Sequence, residues 1–318
     1  MKFQVKAFEE NGIAGLRLSE LYSGTSADVL PAHGMLLHAF RIPDNGSMFN
    51  IIDNYASADE LEEYINLSYK SCKLSPFVCR IPGGKYSVNG KKYEVQKKFY
   101  DGSAIHGLLA NRKFEVVDSI ITEDSAKVTG SYEYINEDPG YPFHYRCDVT
   151  YILKEPQHLL ISTTVTNLGD TTIPMADGWH PYFQLGSKVD DCVLQFNSST
   201  MLEFDDRLVP TGNKIPFTNF MHPTALGPLR LDNCFELHDN HDSACCTLKD
   251  PSGRTLSIYS DSKYPFLQIY IPDHRNSIAL ENLSGAPDCF NNKMGLLMLK
   301  PGDVEEFAVR YVVTAKGA

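Results

Sequence analysis

The sequence has no long apolar run and no excess of basic residues. No stretch of its 318 residues approaches the roughly 20 apolar residues of a membrane-spanning helix. The N-terminal residues mix charged with apolar side chains and contain no apolar segment typical of a secretory signal. The net charge is −11, which disfavours nucleic acid and anionic membranes as partners, because both attract a basic face. We therefore expect a cytoplasmic protein that binds neither.

Several recognisable site motifs are also missing. The eight cysteines are irregularly spaced and include no C-x-x-C pair, which argues against a zinc ribbon or a thioredoxin-like site and favours reduced structural thiols. The chain has no Gly-rich phosphate loop, dinucleotide fingerprint or G-x-S-x-G motif. One segment offers metal-ligand residue types, but it lacks a defined spacing and is better interpreted as a solvated loop: His238, Asp239, His241, Asp242, Cys245 and Cys246.

The sequence does contain many short apolar segments separated by turn residues. Asn89-Gly90 joins two such segments, as expected for a tight β-hairpin. Similar hairpins are predicted around residues 155–157 and 250–253, and residues 305–313 are predicted to form one more strand. The pattern predicts an all-β fold, a large antiparallel β-sandwich, with residues 1–318 in a single domain.

One helix is predicted as well. Ser57-Ala58-Asp59-Glu60 has the capping-box pattern, and apolar residues follow it at roughly helical spacing. We expect this helix to cover part of a sheet or an edge.

Two residues are the leading candidates for acid–base chemistry. His180 lies among Trp179, Tyr182 and another aromatic residue, where a sugar ring could stack while an imidazole exchanges a proton. Glu281 is expected at the end of an apolar strand, where partial burial would raise its pKa. Taken singly, a core histidine and a surface glutamate are the simpler interpretations.

Three further residues are weaker candidates. His106 is followed by a glycine that permits close backbone approach, and Arg80 precedes a glycine turn and offers a fork of donors for hydroxyl groups. Asp232 has the surroundings of a turn former. Taken singly, the His-Gly pair is weak evidence for a functional His106, and the simpler interpretations are a surface ion pair for Arg80 and a turn for Asp232.

Taken together and in order, these segments resemble the aldose 1-epimerase (galactose mutarotase) family. The resemblance runs from about Arg80 to the C-terminal end, and its most specific parts are the motifs that contain His180 and Glu281. The segments that carry it are Arg80-Ile81, His106-Gly107, Tyr141-Pro142, His180-Pro181-Tyr182-Phe183, Leu231-Asp232 with Phe235, and Leu280-Glu281 with Pro287-Asp288. Trp179 replaces the asparagine that commonly precedes the family's motif histidine.

The resemblance implies a galactose mutarotase-like β-sandwich that interconverts the anomers of a free hexose. It implies that Glu281 is the general base, that His180 is the general acid and that His106 stabilises developing charge. Arg80, Asp232, Trp179 and Tyr182 would bind the sugar, with no cofactor and no metal. The expected partner is a monosaccharide, and the protein would be a monomer or a homodimer.

Two other functions remain open at this point. The first is a non-catalytic carbohydrate-binding or sensor protein on the same fold, which has no need of an acid–base pair. The second is a hexose-6-phosphate mutarotase, which would need several cationic side chains near the pocket. A glycoside hydrolase is disfavoured because it would need two facing carboxylates.

Overall fold

The computed structural model describes residues 1–238 and 243–315. Within these ranges the first strands, in chain order, are β1 (Phe3–Glu10), β2 (Ile13–Glu20), β3 (Ser26–Leu30), β4 (Leu36–Asp44), β5 (Ser47–Asn50), β6 (Lys73–Leu74), β7 (Arg80–Ile81), β8 (Lys85–Val88), β9 (Lys91–Glu94) and β10 (Ala104–Ile105). The next are β11 (Glu115–Ile121), β12 (Ser125–Ile135), β13 (His144–Lys154), β14 (His158–Asn167), β15 (Ile173–Met175), β16 (Gly178–Trp179), β17 (Tyr182–Phe183), β18 (Val193–Phe196) and β19 (Thr200–Phe204). The last are β20 (Pro210–Pro216), β21 (Thr224–Ala225), β22 (Asp232–Glu236), β23 (Cys246–Lys249), β24 (Thr255–Ser260), β25 (Phe266–Tyr270), β26 (Ile278–Leu283), β27 (Leu297–Leu299) and β28 (Val304–Thr314). Two α-helices accompany them, α1 (Ala58–Ser68) and α2 (Cys289–Asn292).

Two large antiparallel sheets form the body of the fold. One has nine strands in the order β11-β12-β13-β14-β28-β24-β23-β18-β21. The other has the order β20-β19-β22-β25-β26-β16-β6, with β17 also paired to β26. Side chains from both, such as Val149 on β13 and Leu280 on β26, belong to one hydrophobic cluster. The predicted antiparallel β-sandwich is confirmed.

A third sheet precedes these two. Strands β1 to β5 pair in sequence order, and Phe3 and Leu18 from this sheet join the same cluster as Val313 near the other end of the chain. A shared core of this kind supports one domain, which stays a prediction. Among the described residues, no helix is long and apolar enough to cross a membrane.

The local predictions of hairpins and of a helix are confirmed. The Asn89-Gly90 turn joins β8 to β9, and both of its residues have positive φ. The predicted hairpins around residues 155–157 and 250–253 join β13 to β14 and β23 to β24. Helix α1 begins after Ser57, whose side chain accepts a hydrogen bond from the Glu60 amide, as the capping box requires.

The predicted position of Glu281 at the end of a strand is wrong. Strand β26 continues to Leu283, so Glu281 lies inside it, and β26 is paired on one side with β25 and on the other with β16 and β17. The strand does not end at the carboxylate because Asn282 and Leu283 pair with Leu267 and Phe266 of β25. Glu281 is consequently more deeply buried than a residue at a strand end would be.

Candidate active site

A pocket of about 390 Å³ opens over β22, β25 and β26. These neighbouring strands supply Asp232, Gln268 and Glu281, and Gln268 lies directly opposite Glu281 in the sheet. The volume is within the range of small-molecule sites. The remaining lining residues come from other segments: Leu67, Ser68, Tyr69, Lys70, Cys79, Arg80, Phe99, Tyr100, Ile105, His106, His180, Tyr182, Phe204, Leu208, Tyr270, Pro272, His274 and Pro287.

Glu281 is the buried carboxyl group of this pocket. Only 1% of the residue is exposed, and burial, with a smaller contribution from the charge of Asp232, raises the pKa of its carboxyl well above the usual value. Among the described residues, its Oε2 atom has no hydrogen-bond partner. Because Glu281 also lines the pocket, its carboxyl group can exchange a proton with a bound molecule.

His180 lies beside that carboxyl group. Its Nε2 atom is 3.4 Å from Glu281 Oε1, and its ring stacks on Tyr182 with ring centroids 5.0 Å apart. Burial lowers the pKa of His180 to about 4, so its imidazole is neutral at pH 7. The backbone fixes its position, because His180 donates its N–H to the Cys72 carbonyl and accepts from the Ser71 N–H.

His106 completes the cluster. Its ring is edge-on to His180, with ring centroids 4.7 Å apart, and also contacts the Tyr69 ring. Burial, followed by the charges of His180 and Arg80, lowers the pKa of His106 well below the usual value. The residue has φ of 55°, a left-handed conformation that is costly for a side chain other than glycine and recurs at functional sites. Its N–H donates to the Cys79 carbonyl, which helps to hold this conformation.

The opposite pKa shifts of Glu281 and His180 define how many protons the pair holds. Between the His180 pKa of about 4 and the raised pKa of the Glu281 carboxyl, the pair carries one proton. That proton belongs to the pair and can reside on either partner. Such a pair can accept a proton from one atom of a ligand while giving a proton to another.

The same cluster has the composition of a metal site. One ligand atom from each of His106, His180 and Glu281 lies within 4.8 Å of the other two. Histidines that bind metal normally donate their second ring N–H to a carbonyl or carboxylate. Within the part of the chain that the structure describes, the Nδ1 atoms of both histidines lack such partners. The arrangement therefore fits proton transfer better than a resident metal ion.

Arg80 and Asp232 both reach the pocket, as their predicted roles in sugar binding require. The Arg80 guanidinium pairs with Asp101, and its side chain is 16% exposed. Asp232 is accessible to solvent, accepts a hydrogen bond of 2.9 Å from Gln268, and has a raised carboxyl pKa because the cleft partly desolvates it. Both present polar groups to the pocket, and their role in sugar binding stays a prediction.

The expectation that Trp179 contacts the substrate is wrong. Tyr182 lines the pocket, but Trp179 does not. Because side chains alternate along an extended segment, Trp179 points away from His180 and into the core, where it is 2% exposed. It packs there against Lys73, whose Nζ is 4.4 Å from the ring centroid, and against Tyr151.

Sequence reasoning missed Gln268 and the loops around the pocket. Gln268 is the one polar residue of Phe266-Leu267-Gln268-Ile269-Tyr270, and a lone polar side chain in an apolar strand was a usable signal. Helix α1 was expected to cover part of a sheet or an edge, and its Leu61 and Ile65 do share a buried cluster with residues of β2, β3 and β4. Its last turn and the residues after it, 67–70, also form one wall of the pocket. Nothing in their sequence indicates that position.

The segment with metal-ligand residue types, interpreted above as a solvated loop, is only partly within the described residues. Asp239, His241 and Asp242 lie outside the described residues. Cys245 and Cys246 are buried free thiols, and burial raises the pKa of both. The other six cysteines are buried and free as well, which agrees with their interpretation as structural thiols.

Comparison with known proteins decides the family. The aldose 1-epimerase family model matches residues 21–312. The chain belongs to the aldose 1-epimerase family. That match spans every residue assigned to the pocket, including His106, His180 and Glu281.

Curated relatives of this aldose 1-epimerase family member are distant. The uncharacterized protein YihR of Escherichia coli is 27% identical over 76% of this chain and 78% of its own. The maltose epimerase of Levilactobacillus brevis is 25% identical over 75% of this chain and 74% of its own. At these identities the substrate does not follow from the relatives.

Solved structures show the same fold over almost the whole chain. A galactose mutarotase-like protein from Clostridium acetobutylicum superimposes with a TM-score of 0.87 at 19% identity, covering 98% of this chain and 99% of its own. An aldose epimerase homologue from Caenorhabditis elegans gives a TM-score of 0.81 at 23% identity, covering 98% and 99%. The galactose mutarotase-like fold is thereby confirmed.

Proposed function

We propose that this protein is a cytoplasmic mutarotase that interconverts the α and β anomers of a free hexose such as galactose or glucose. The observation that carries the proposal is the buried pair of Glu281 and His180, 3.4 Å apart at the floor of a pocket. Membership of the aldose 1-epimerase family supports the same reaction.

The reaction needs two proton transfers at neighbouring oxygens of the sugar. Glu281 accepts the proton of the anomeric hydroxyl O1, and His180 donates a proton to the ring oxygen O5. The C1–O5 bond then breaks and C1 becomes an aldehyde carbon. Rotation about C1–C2 presents the other carbonyl face, O5 attacks C1, and the two residues take back and return their protons. The protons balance, because one proton shared by the pair serves both directions.

Burial favours the shared proton on Glu281, whereas ring opening in this direction needs it on His180. We propose that a hydroxyl group of the bound sugar relays the proton between the two side chains, whose nearest atoms are 3.4 Å apart. His106, which lies against His180, would hydrogen-bond the sugar near the same oxygens and stabilise developing charge.

The remaining proposed contacts bind the rest of the sugar. Arg80 and Asp232 would hold hydroxyl groups, with Gln268 fixing the Asp232 carboxylate through its hydrogen bond. The Tyr182 ring, which stacks on His180, would contact an apolar C–H face of the ring.

A phosphorylated hexose is a poorer fit. Of the lysine and arginine side chains that line the pocket in the described ranges, Lys70 pairs with Asp53 and Arg80 pairs with Asp101. A phosphate would have to displace these carboxylates in a protein whose net charge is already −11. An uncharged aldose needs no such exchange.

The direct test is polarimetry of freshly dissolved α-glucose, α-galactose and glucose 6-phosphate with the same enzyme preparation. We expect faster mutarotation of at least one free hexose and little acceleration of the phosphate ester. A protein that binds a free hexose in calorimetry without accelerating its mutarotation would be the sensor alternative. Preference for the phosphate ester would establish the other alternative.

A further inference from the structure

A buried ion pair lies directly behind the strand that leads into His180. The Nζ of Lys73, on β6, is 2.6 Å from Oδ2 of Asp177, and neither side chain has any exposed surface. Tyr264 donates a hydrogen bond of 2.7 Å to the same carboxylate oxygen. None of the three residues lines the pocket, so none of them contacts a bound sugar.

The single ammonium group contacts three consecutive residues. Besides the Asp177 carboxylate, Lys73 Nζ donates to the Gly178 carbonyl at 3.1 Å and lies 4.4 Å from the centroid of the Trp179 ring. The next residue is His180. The ammonium group therefore fixes the whole of β16 and the residue before it, up to the proposed general acid.

The backbone of the same segment fixes His180 from the other side. Lys73 pairs with Trp179 in the sheet, and His180 exchanges hydrogen bonds with the backbone of Ser71 and Cys72. The backbone of residues 71–73 thus pairs with the backbone of Trp179 and His180, and the Lys73 side chain contacts residues 177–179. On its opposite edge β16 pairs with β26, the strand that carries Glu281.

An ion pair of this kind is a costly way to obtain stability. Removing two charges from water offsets most of their attraction, and apolar residues of similar volume are often as stabilising. What charged groups provide here is direction, because a buried ammonium group is satisfied only by acceptors at defined positions. Proton transfer from His180 to a sugar oxygen depends on such positions, and an error of 1 Å can cost about 10²-fold in rate.

We propose that Lys73 and Asp177 are positioning residues for the acid–base pair, holding His180 at its distance from Glu281 through strand β16. The inference rests on the proposed mutarotase function. It goes beyond that function by assigning a role to two residues that touch neither substrate nor reacting atoms.

The test is the double variant Lys73→Met/Asp177→Asn, which removes both charges and keeps an oxygen that can accept from Tyr264. We expect its kcat to fall at least about tenfold, because His180 is no longer held at its transfer distance. KM for the hexose should stay within about twofold, because Arg80, Asp232 and Gln268 do not contact the altered residues. A purely structural pair would lower the melting temperature and leave kcat unchanged at a temperature where the variant is folded.

A control and a milder variant complete the experiment. Asp28→Asn removes another fully buried carboxylate, which pairs with Arg17 and Arg41 in the N-terminal sheet and does not line the pocket, so it should destabilise the protein without changing kcat. Tyr264→Phe removes one hydrogen bond to Asp177 without changing a charge, and it replaces the double variant if that variant does not fold. We expect it to lower kcat about twofold to tenfold. Wild-type kcat in a folded Lys73→Met/Asp177→Asn protein or in a folded Tyr264→Phe protein overturns the inference. Absence of mutarotation by the wild-type protein would instead contradict the proposed function.

Discussion

At the scale of single residues, the chemistry of this pocket depends on burial rather than on close opposite charges. Glu281 and His180 are each displaced from their usual pKa values chiefly by loss of water, in opposite directions. Desolvation favours the uncharged form of both groups, so the carboxyl group holds its proton and the imidazole lacks one. The pocket is therefore set up for exchange of one proton without a net charge.

The pKa shift of Glu281 predicts a cost in stability. Its carboxyl pKa is raised in the folded protein, so the folded state keeps the proton that the unfolded state loses near about pH 4.3. The free energy of unfolding of the wild-type protein therefore falls as the pH rises from about 4.3 to the pKa of the Glu281 carboxyl in the folded protein. Glu281→Gln removes this cost, and we expect it to melt at a higher temperature than wild type at pH 8, with a smaller difference at pH 5.

Thermal unfolding at the two pH values checks this prediction. Glu62→Gln, an exposed position on helix α1, is the matched control and should leave the melting temperature unchanged at both. A Glu281→Gln protein that melts below wild type at pH 8 would show that the charged carboxylate is stabilising, contrary to its burial.

The shared proton also predicts a broad pH profile. Catalysis needs one proton on the pair, so kcat/KM should rise with pH through an apparent pKa of about 4, set by His180, and fall through the raised pKa of Glu281. Polarimetric rates from pH 4 upward measure it, and an acid limb centred near 6.5 would indicate a solvated histidine instead.

At the scale of secondary-structure elements, the close approach of β16 to β26 sets the geometry of the site. A Cβ atom at Gly178 would lie 2.6 Å from a Leu283 methyl carbon and 3.0 Å from the Asn282 carbonyl oxygen. The two strands can approach only because Gly178 has no side chain. This approach is what brings His180, two residues later, beside Glu281.

Gly178→Ala should force these strands apart. Such overpacking typically costs about 1–3 kcal/mol of stability, and we expect kcat to fall roughly tenfold or more because His180 moves with its strand. Gly169→Ala is the control, since the nearest atom to its Cβ would be 3.4 Å away, an ordinary contact. Chemical denaturation and polarimetry measure the two effects, and a Gly178→Ala enzyme with wild-type kcat would contradict this account of β16.

The hairpins and the helix could be predicted from the sequence, whereas the pairing of distant strands could not. Turn residues such as Asn89-Gly90 and the Ser57 capping box act on their neighbours, so the hairpins and helix α1 were predictable locally. The separation of His180 and Glu281 depends on pairing between strands about 100 residues apart, which the sequence expresses only through its family resemblance. The inward direction of Trp179 was missed because it depends on which face of that strand is buried.

At the scale of the whole molecule, one core connects the three large sheets. Phe3, Leu18 and Val313 belong to the same hydrophobic cluster as the residues behind the pocket, such as Leu280. When one of several sheets that share a core unfolds, the apolar face of its neighbour becomes exposed. Such sheets therefore lose their packing together. The pocket is thus supported by residues from nearly the full length of the chain.

This arrangement predicts a single cooperative unfolding transition. In differential scanning calorimetry the calorimetric enthalpy should equal the van't Hoff enthalpy, as for one domain. Two resolved transitions, or a calorimetric enthalpy well above the van't Hoff value, would indicate separate domains instead.

The central claim is that Glu281 and His180 transfer the protons of ring opening, and variants of these two residues test it most directly by polarimetry of α-galactose and α-glucose at pH 7. Glu281→Gln and His180→Asn should each lower kcat by roughly 10²–10⁴-fold while remaining folded. His38→Asn is the matched control, because burial also lowers the pKa of His38 to about 4 and the residue does not line the pocket, so its kcat should be unchanged. Either active-site variant accelerating mutarotation as fast as the wild-type protein would contradict the account.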